Sequence, residues 1–167
     1  CTLSITRLDF GGVTLAGLDA RAPDAANAAL SARELVIDLA WDNPFSPRPI
    51  SVGGDDLVVR VDLTGKRPLL GDLDTAITNF TKPSDAPPGP LPRLDFKKVT
   101  VVGETLSGPV QALGTITATG PDAFVIDLTA PPATLGMMGA TMQLAGAQLK
   151  ATVANKQISA TAKLDLA

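Results

Sequence analysis

Few residues in this chain could carry chemistry, and their spacing limits what they could do. Asp55-Asp56 beside Gly53-Gly54 is the nearest approach to a calcium loop, but it lacks the alternating oxygen ligands of such loops and reads as a solvated turn. Asp72 and Asp74 could work as an acid–base pair only if a cleft shifted one pKa; as neighbours on a surface helix they are ordinary exposed charges. Ser31 and Ser107 have no histidine to activate them, because the chain contains none, so a Ser-His-Asp triad is excluded. Met137-Met138 and Met142 could touch a soft metal or a flexible apolar ligand, and equally could fill gaps in a core. The single cysteine, Cys1, can neither close an internal disulfide nor build a thiolate zinc site. These residues predict a protein that is not an enzyme and needs no cofactor or metal.

Charge and composition narrow the partners. A formal net charge of −3 gives no electrostatic footprint for nucleic acid. Hydrophobic residues make up 45% and charged residues 19% of the 167, enough to fold. The apolar content is mostly aliphatic, with Trp41 and five Phe as the aromatics. No run approaches the roughly 20 apolar residues of a membrane-spanning helix.

Two short texts recur in the same order. Arg7-Leu8-Asp9-Phe10 is followed, two residues later, by Val13-Thr14 and Gly17; Arg93-Leu94-Asp95-Phe96 is followed by Val99-Thr100 and Gly103. Val36-Ile37-Asp38-Leu39 likewise returns as Val125-Ile126-Asp127-Leu128. The collinear matches predict a single domain over 1–167 built from two degenerate repeats, about 3–80 and 92–167, joined by a proline-rich connector at 81–92. The alternation of Leu8 and Phe10 with Val13 and Leu15 slips at Gly11-Gly12. Alone, that pair would suggest a two-residue hairpin turn. Lys97-Lys98 stands at the same place in the second copy, and a bulge or short irregular turn accommodates both.

The elements read as strands. From Glu34, Leu35, Ile37, Leu39 and Trp41 fall on one face and Val36, Asp38 and Ala40 on the other. The stretch 42–49, with three prolines, predicts a loop or edge crossing. After Gly53-Gly54 a further strand places Leu57, Val59, Val61 and Leu63 inward and Arg60 and Asp62 outward. Residues 68–80 break the rule: Leu70, Leu73, Ile77 and Phe80 follow a helical spacing and predict one short amphipathic helix. The second half offers strands at 99–102, 110–119, 123–129, 139–146, 149–153 and 158–166, separated by turn signals every 8–12 residues or so. The expectation is an all-β, mostly antiparallel domain, either sandwich-like with a filled core or a curved sheet forming a β-groove, with that one helix. Strands with one aliphatic face must have that face covered. A packed core and an acyl ligand are both consistent with its composition.

The runs Ile5-Thr6-Arg7-Leu8-Asp9-Phe10-Gly11-Gly12-Val13-Thr14-Leu15-Ala16-Gly17-Leu18 and Leu30-Ser31-Ala32-Arg33-Glu34-Leu35-Val36-Ile37-Asp38-Leu39-Ala40-Trp41 resemble the repeating strand text of the AsmA-like superfamily, of YdbH and TamB type. The likeness spans about 3–65 and 93–130. It implies a periplasmic segment of the Gram-negative cell envelope, part of a longer protein anchored in the inner membrane, in which a hydrophobic β-groove binds phospholipid or another acyl lipid and passes it between inner and outer membranes. Cys1 offers a second route to the membrane, as a lipoprotein acylation site. Under the resemblance, Leu35, Ile37, Leu39, Trp41, Leu57, Val59, Val61, Leu63, Phe124, Ile126 and Leu128 line the groove. The competing expectation is a structural or assembly domain that binds another envelope protein by adding a strand at an exposed sheet edge.

Overall fold

The computed structural model describes residues 2–21, 27–41, 47–65, 92–120, 122–137, 140–154 and 157–166. Of these, 85% lie in strands, and no helix occurs among them. The helix expected at 68–80 and nearly all of the connector at 81–92 lie outside the described residues. Eleven strands follow one another: β1 Thr2–Asp9, β2 Gly12–Ala20, β3 Leu30–Ala40, β4 Arg48–Asp55, β5 Leu57–Asp62, β6 Arg93–Thr105, β7 Gly108–Gly120, β8 Ala123–Ala130, β9 Ala133–Met137, β10 Ala140–Ala154 and β11 Gln157–Leu166.

All of them belong to one sheet, in the order β1-β2-β3-β4-β6-β7-β8-β10-β11. β5 continues the position of β4, pairing with β3 and β6, and β9 extends the line of β8 along β10. The sheet therefore has nine strand positions. Pairing is antiparallel throughout except at the centre, where β4 and β5 run parallel to β6. A parallel neighbour cannot be reached by a tight turn, so a longer connection must join these strands.

A row of irregularities crosses the first half of the sheet and decides which side chains share a face. Between Ala16↔Glu34 and Leu18↔Ala32, Gly17 has φ +64 and sits opposite Arg33. The next position carries Asp56, with φ 52, between β4 and β5. Then Lys97-Lys98 bulges from β6, where pairing with β7 steps from Phe96↔Ile116 to Val99↔Gly114. Each extra residue resets the two-residue alternation. As a result Ala32 and Leu35, Val52 and Leu57, and Phe96 and Val99 all reach one apolar cluster despite their mixed parity. Asp56 tolerates its left-handed backbone because a short polar side chain suits that region. Its carboxylate is held by Arg33 on one side and Lys98 on the other, tying three of the irregular positions together.

Several expectations change here. The slip at Gly11-Gly12 is a hairpin: Asp9 pairs with Gly12, and Phe10-Gly11 form the turn. The Asp9 Oδ1 accepts the Gly11 and Gly12 amides at 2.8 and 3.0 Å, which closes it. A Cβ at Gly12 would lie 2.3 Å from the Ile37 carbonyl oxygen, so the lysine of the second text does not fit this position. The second text instead runs straight on as β6 and absorbs its extra residue as the Lys97-Lys98 bulge. Arg48 and Pro49, assigned to a loop, begin β4, and Gly53-Gly54 lie within that strand. Pro49 is tolerated because the ladder to β6 starts only at Ser51 and the ladder to β3 shifts between Asp38 and Leu39. β3 starts at Leu30 rather than Glu34. The two strands expected at 139–146 and 149–153 are one, β10, with an irregularity between Leu144 and Gly146.

The core is thin. Ala32, Leu57, Phe96 and Val99 form its buried cluster, with Leu18, Leu30, Leu35, Val52, Val59, Val101, Ile116 and Leu128 packed around it. Even Val99, the most buried apolar residue, retains 2% exposure, and no described side chain is fully enclosed. The described strands all belong to one sheet, and few of their side chains are buried.

Candidate functional site

The strand registers assemble a continuous apolar face. One row crosses all nine positions: Ile5, Leu15, Leu35, Gly54, Phe96, Ile116, Ile126, Ala151 and Ala160 are successive ladder partners. A second row runs Leu57, Val99, Gly114, Leu128, Leu149, Ala162. A third, at the other side of the irregular line, runs Leu8, Val13, Ile37, Val52, Leu94. None of the three contains a charged residue. Because ladder partners project to the same side, the registers alone put these aliphatic groups on a common face.

The centre is buried, and so are Leu144 and Val153 on β10, at 7% and 9% exposure, but the two outermost strands are not. Leu57 and Val99 are 8% and 2% exposed, whereas Leu149 is 38%, Ile5 is 59% and Ile158 is 76% exposed. Every residue of β1 and of β11 is exposed. Large aliphatic side chains on both flanks of the sheet thus stand in solvent. An apolar area of this extent on a folded protein marks a binding surface more often than an accident.

The structure brings four of the expected groove residues together: Leu57 lies in the buried cluster, with Leu35, Val59 and Leu128 packed against it. Ile126 lies in the nine-strand row, Ile37 in the row through Val52, and Phe124 opposite Ala118 and Val153. Val61 is partnered with Gly103, and Leu63, just beyond β5, lies over the same glycine while its amide donates to the Glu104 carbonyl at 2.9 Å. Leu39 is half-buried opposite Pro49. Trp41 stands apart. It follows the end of β3, is 40% exposed, and packs edge-on against Phe10 in the β1–β2 turn. Residues of the same face that the sequence did not single out for the groove include Phe96, Val99 and Ile116. The bulge at Lys97-Lys98 hid Phe96 and Val99, which no single alternation places on one side.

The opposite face carries a polar patch beside apolar residues such as Val102. Glu34, Val36, Asp38, Ser51, Gly53, Gly54, Asp55, Asp95 and Lys97 line a shallow depression of about 300 Å³, where Gly53, partnered with Val36 and Asp95, presents no side chain. The Ser51 hydroxyl donates to Asp38 within it. Among the described residues no three acidic, histidine or cysteine groups converge to hold a metal ion. Asp56, weighed as part of a calcium loop, spends its carboxylate on Arg33 and Lys98. Ser107 lies in the β6–β7 turn, with its amide directed to Thr105 Oγ1 at 3.2 Å. Met142 is exposed on β10 opposite Leu135; Asp72, Asp74 and Met138 lie outside the described residues.

Two ion pairs sit near the strand ends. The Arg7 guanidinium donates to Asp9 Oδ2 at 2.7 Å, and Arg21 donates to both Asp19 oxygens at 3.2 and 2.7 Å. The hydrogen bond from Arg7 holds the Asp9 carboxyl below its ordinary pKa, with the Gly11 and Gly12 amides adding to it, and Arg21 does the same for Asp19.

Comparison with protein-family models, curated proteins and solved structures finds no match to this chain. Its chemistry must be argued from its own residues.

Proposed function

We propose that this chain is a non-enzymatic segment of a bacterial cell-envelope protein whose apolar sheet face binds the acyl chains of phospholipid. In this reading the sheet curves into a β-groove within the periplasm. It serves lipid passage between inner and outer membranes as part of a longer inner-membrane-anchored protein of the AsmA-like kind that its strand text resembles.

The observation that carries the reading is the row from Ile5 to Ala160, nine strands wide and without a charge, on a single sheet whose first and last strands are exposed along their whole length. A closed domain of this size would bury such a row. Here the outer aliphatic groups remain in water, and covering them with acyl chains would release about 25 cal/mol for each Å² of apolar surface removed from it. The scarcity of aromatic rings leaves a smooth aliphatic lining, suited to chains of variable length.

The test is Ile37→Asp. Ile37 is half-buried and lies outside the buried cluster. The variant is expected to fold, by circular dichroism, and to lose phospholipid uptake. A soluble variant that loads lipid as well as the parent would remove Ile37 from the groove. Failure to fold would place it in a filled core, where an unpaired charge is not tolerated.

A further inference from the structure

The ladders in the first half of the sheet lapse at one level. Between β2 and β3 the register steps over Gly17 and Arg33, from Ala16↔Glu34 to Leu18↔Ala32. On the other side of β3 it steps from Glu34↔Asp55 on β4 to Ser31↔Val58 on β5. The parallel ladder to β6 steps from Gly54↔Phe96 to Leu57↔Val99, and the β6–β7 ladder from Phe96↔Ile116 to Val99↔Gly114. The same level is crossed without a break farther on, by Thr115↔Asp127 and Asp127↔Lys150. Where the ladders lapse, side chains tie the strands instead. Asp56, with φ 52, holds Arg33 of β3 and, at 2.6 Å, Lys98 of β6. Its side chain is sheltered, at 17% exposure, whereas Arg33 and Lys98 reach it from solvent at 72% and 61%. The apolar cluster also straddles the line, with Ala32, Leu57 and Val99 on one side and Leu35, Val52 and Phe96 on the other.

We propose that this line is a hinge in the sheet and that Asp56 is the latch that locks it. A hinge concentrates a change of angle in a few residues that absorb it in their backbones. Bulged residues bend their strands, and here the irregular residues of neighbouring strands fall side by side, so the strands can bend about one shared axis. The clamp keeps three of these residues in step where the ladders do not. Once it is released, the part carrying Leu57 and Val99 rocks against the part carrying Leu35 and Phe96. That motion parts the cluster and bares its apolar surface. β7, β8 and β10, joined by unbroken ladders at this level, are the fixed frame. The inference rests on the ladders and the clamp and not on the lipid reading.

Amide hydrogen exchange of the full chain, resolved by residue with NMR, tests it, because local opening speeds exchange only where it happens. Asp56→Asn removes the charge and keeps a residue that tolerates the left-handed backbone. It is expected to speed exchange about fivefold, the effect of losing two modest ion pairs, from Ser31 to Leu35, Gly54 to Val58 and Phe96 to Thr100. Exchange in the frame, from Ile126 to Leu128 and Leu149 to Ala151, is expected to stay within about twofold of the parent. Lys98→Gln removes one pair at an exposed position and is expected to act on the same amides more weakly, which keeps the test open should Asp56→Asn not fold. Exchange unchanged along the line, or raised as much in the frame as at the line, would overturn the proposal.

Discussion

The Trp41 indole Nε1 donates to the carbonyl oxygen of Phe10 at 2.5 Å, and the two rings meet edge to face with centroids 5.8 Å apart at 65°. Beside this contact the Leu39 amide donates to the Gly11 carbonyl at 3.0 Å. The end of β3 is thereby fastened to the β1–β2 turn, which packing alone would hold weakly because Phe10 is 84% exposed. Trp41→Phe keeps a ring and removes the donor. It is expected to lower stability by about 1 kcal/mol, the usual net worth of one hydrogen bond. Urea unfolding followed by circular dichroism measures this; no change in midpoint would mean that the bond does not hold the turn.

Gly12→Ala tests why one repeated text makes a hairpin and the other a bulge. The added methyl would meet the backbone of Ile37, which cannot yield without parting β2 from β3. The cost expected is at least about 2 kcal/mol, typical of a steric fault inside a ladder. Lys97→Ala, at an exposed bulge position, should change stability by less than about 0.5 kcal/mol. Equal effects would contradict the close approach at Gly12.

Acid titration should expose the two terminal ion pairs. Because the folded pKa of Asp9 is depressed by Arg7, the stability this group contributes is present above its unfolded pKa of about 3.9 and is lost as pH falls through the lower folded value. Carboxyl-carbon NMR is expected to show Asp9 and Asp19 titrating below that ordinary value. Arg7→Ala should move the Asp9 midpoint upward and leave Asp19 in place. An unmoved Asp9 would assign its depression to the turn amides.

Alternation along single segments was enough to recognise an all-β chain, and it placed Leu57, Val59 and Val61 on one side as the ladders do. It failed where the backbone left regular pairing. Gly53-Gly54 carries the composition of a turn but lies inside β4, because its neighbours β3 and β6 supply the ladder that its own side chains cannot stabilise. Phe96 and Val99 read as opposite faces until the Lys97-Lys98 bulge is known. The parallel pairing of β5 with β6 joins residues some forty positions apart, which no local signal encodes. The nine-strand apolar row was illegible for the same reason: each member is visible as a hydrophobic residue, but the row exists only in the registers.

The central claim is that the apolar face takes up acyl lipid. Native mass spectrometry of gently purified protein, before and after incubation with phospholipid vesicles, tests it most directly. The account predicts bound phospholipid at a reproducible ratio, lost in Ile37→Asp. A lipid-free mass unchanged by the vesicles would contradict it and leave a β domain that acts through protein contacts alone.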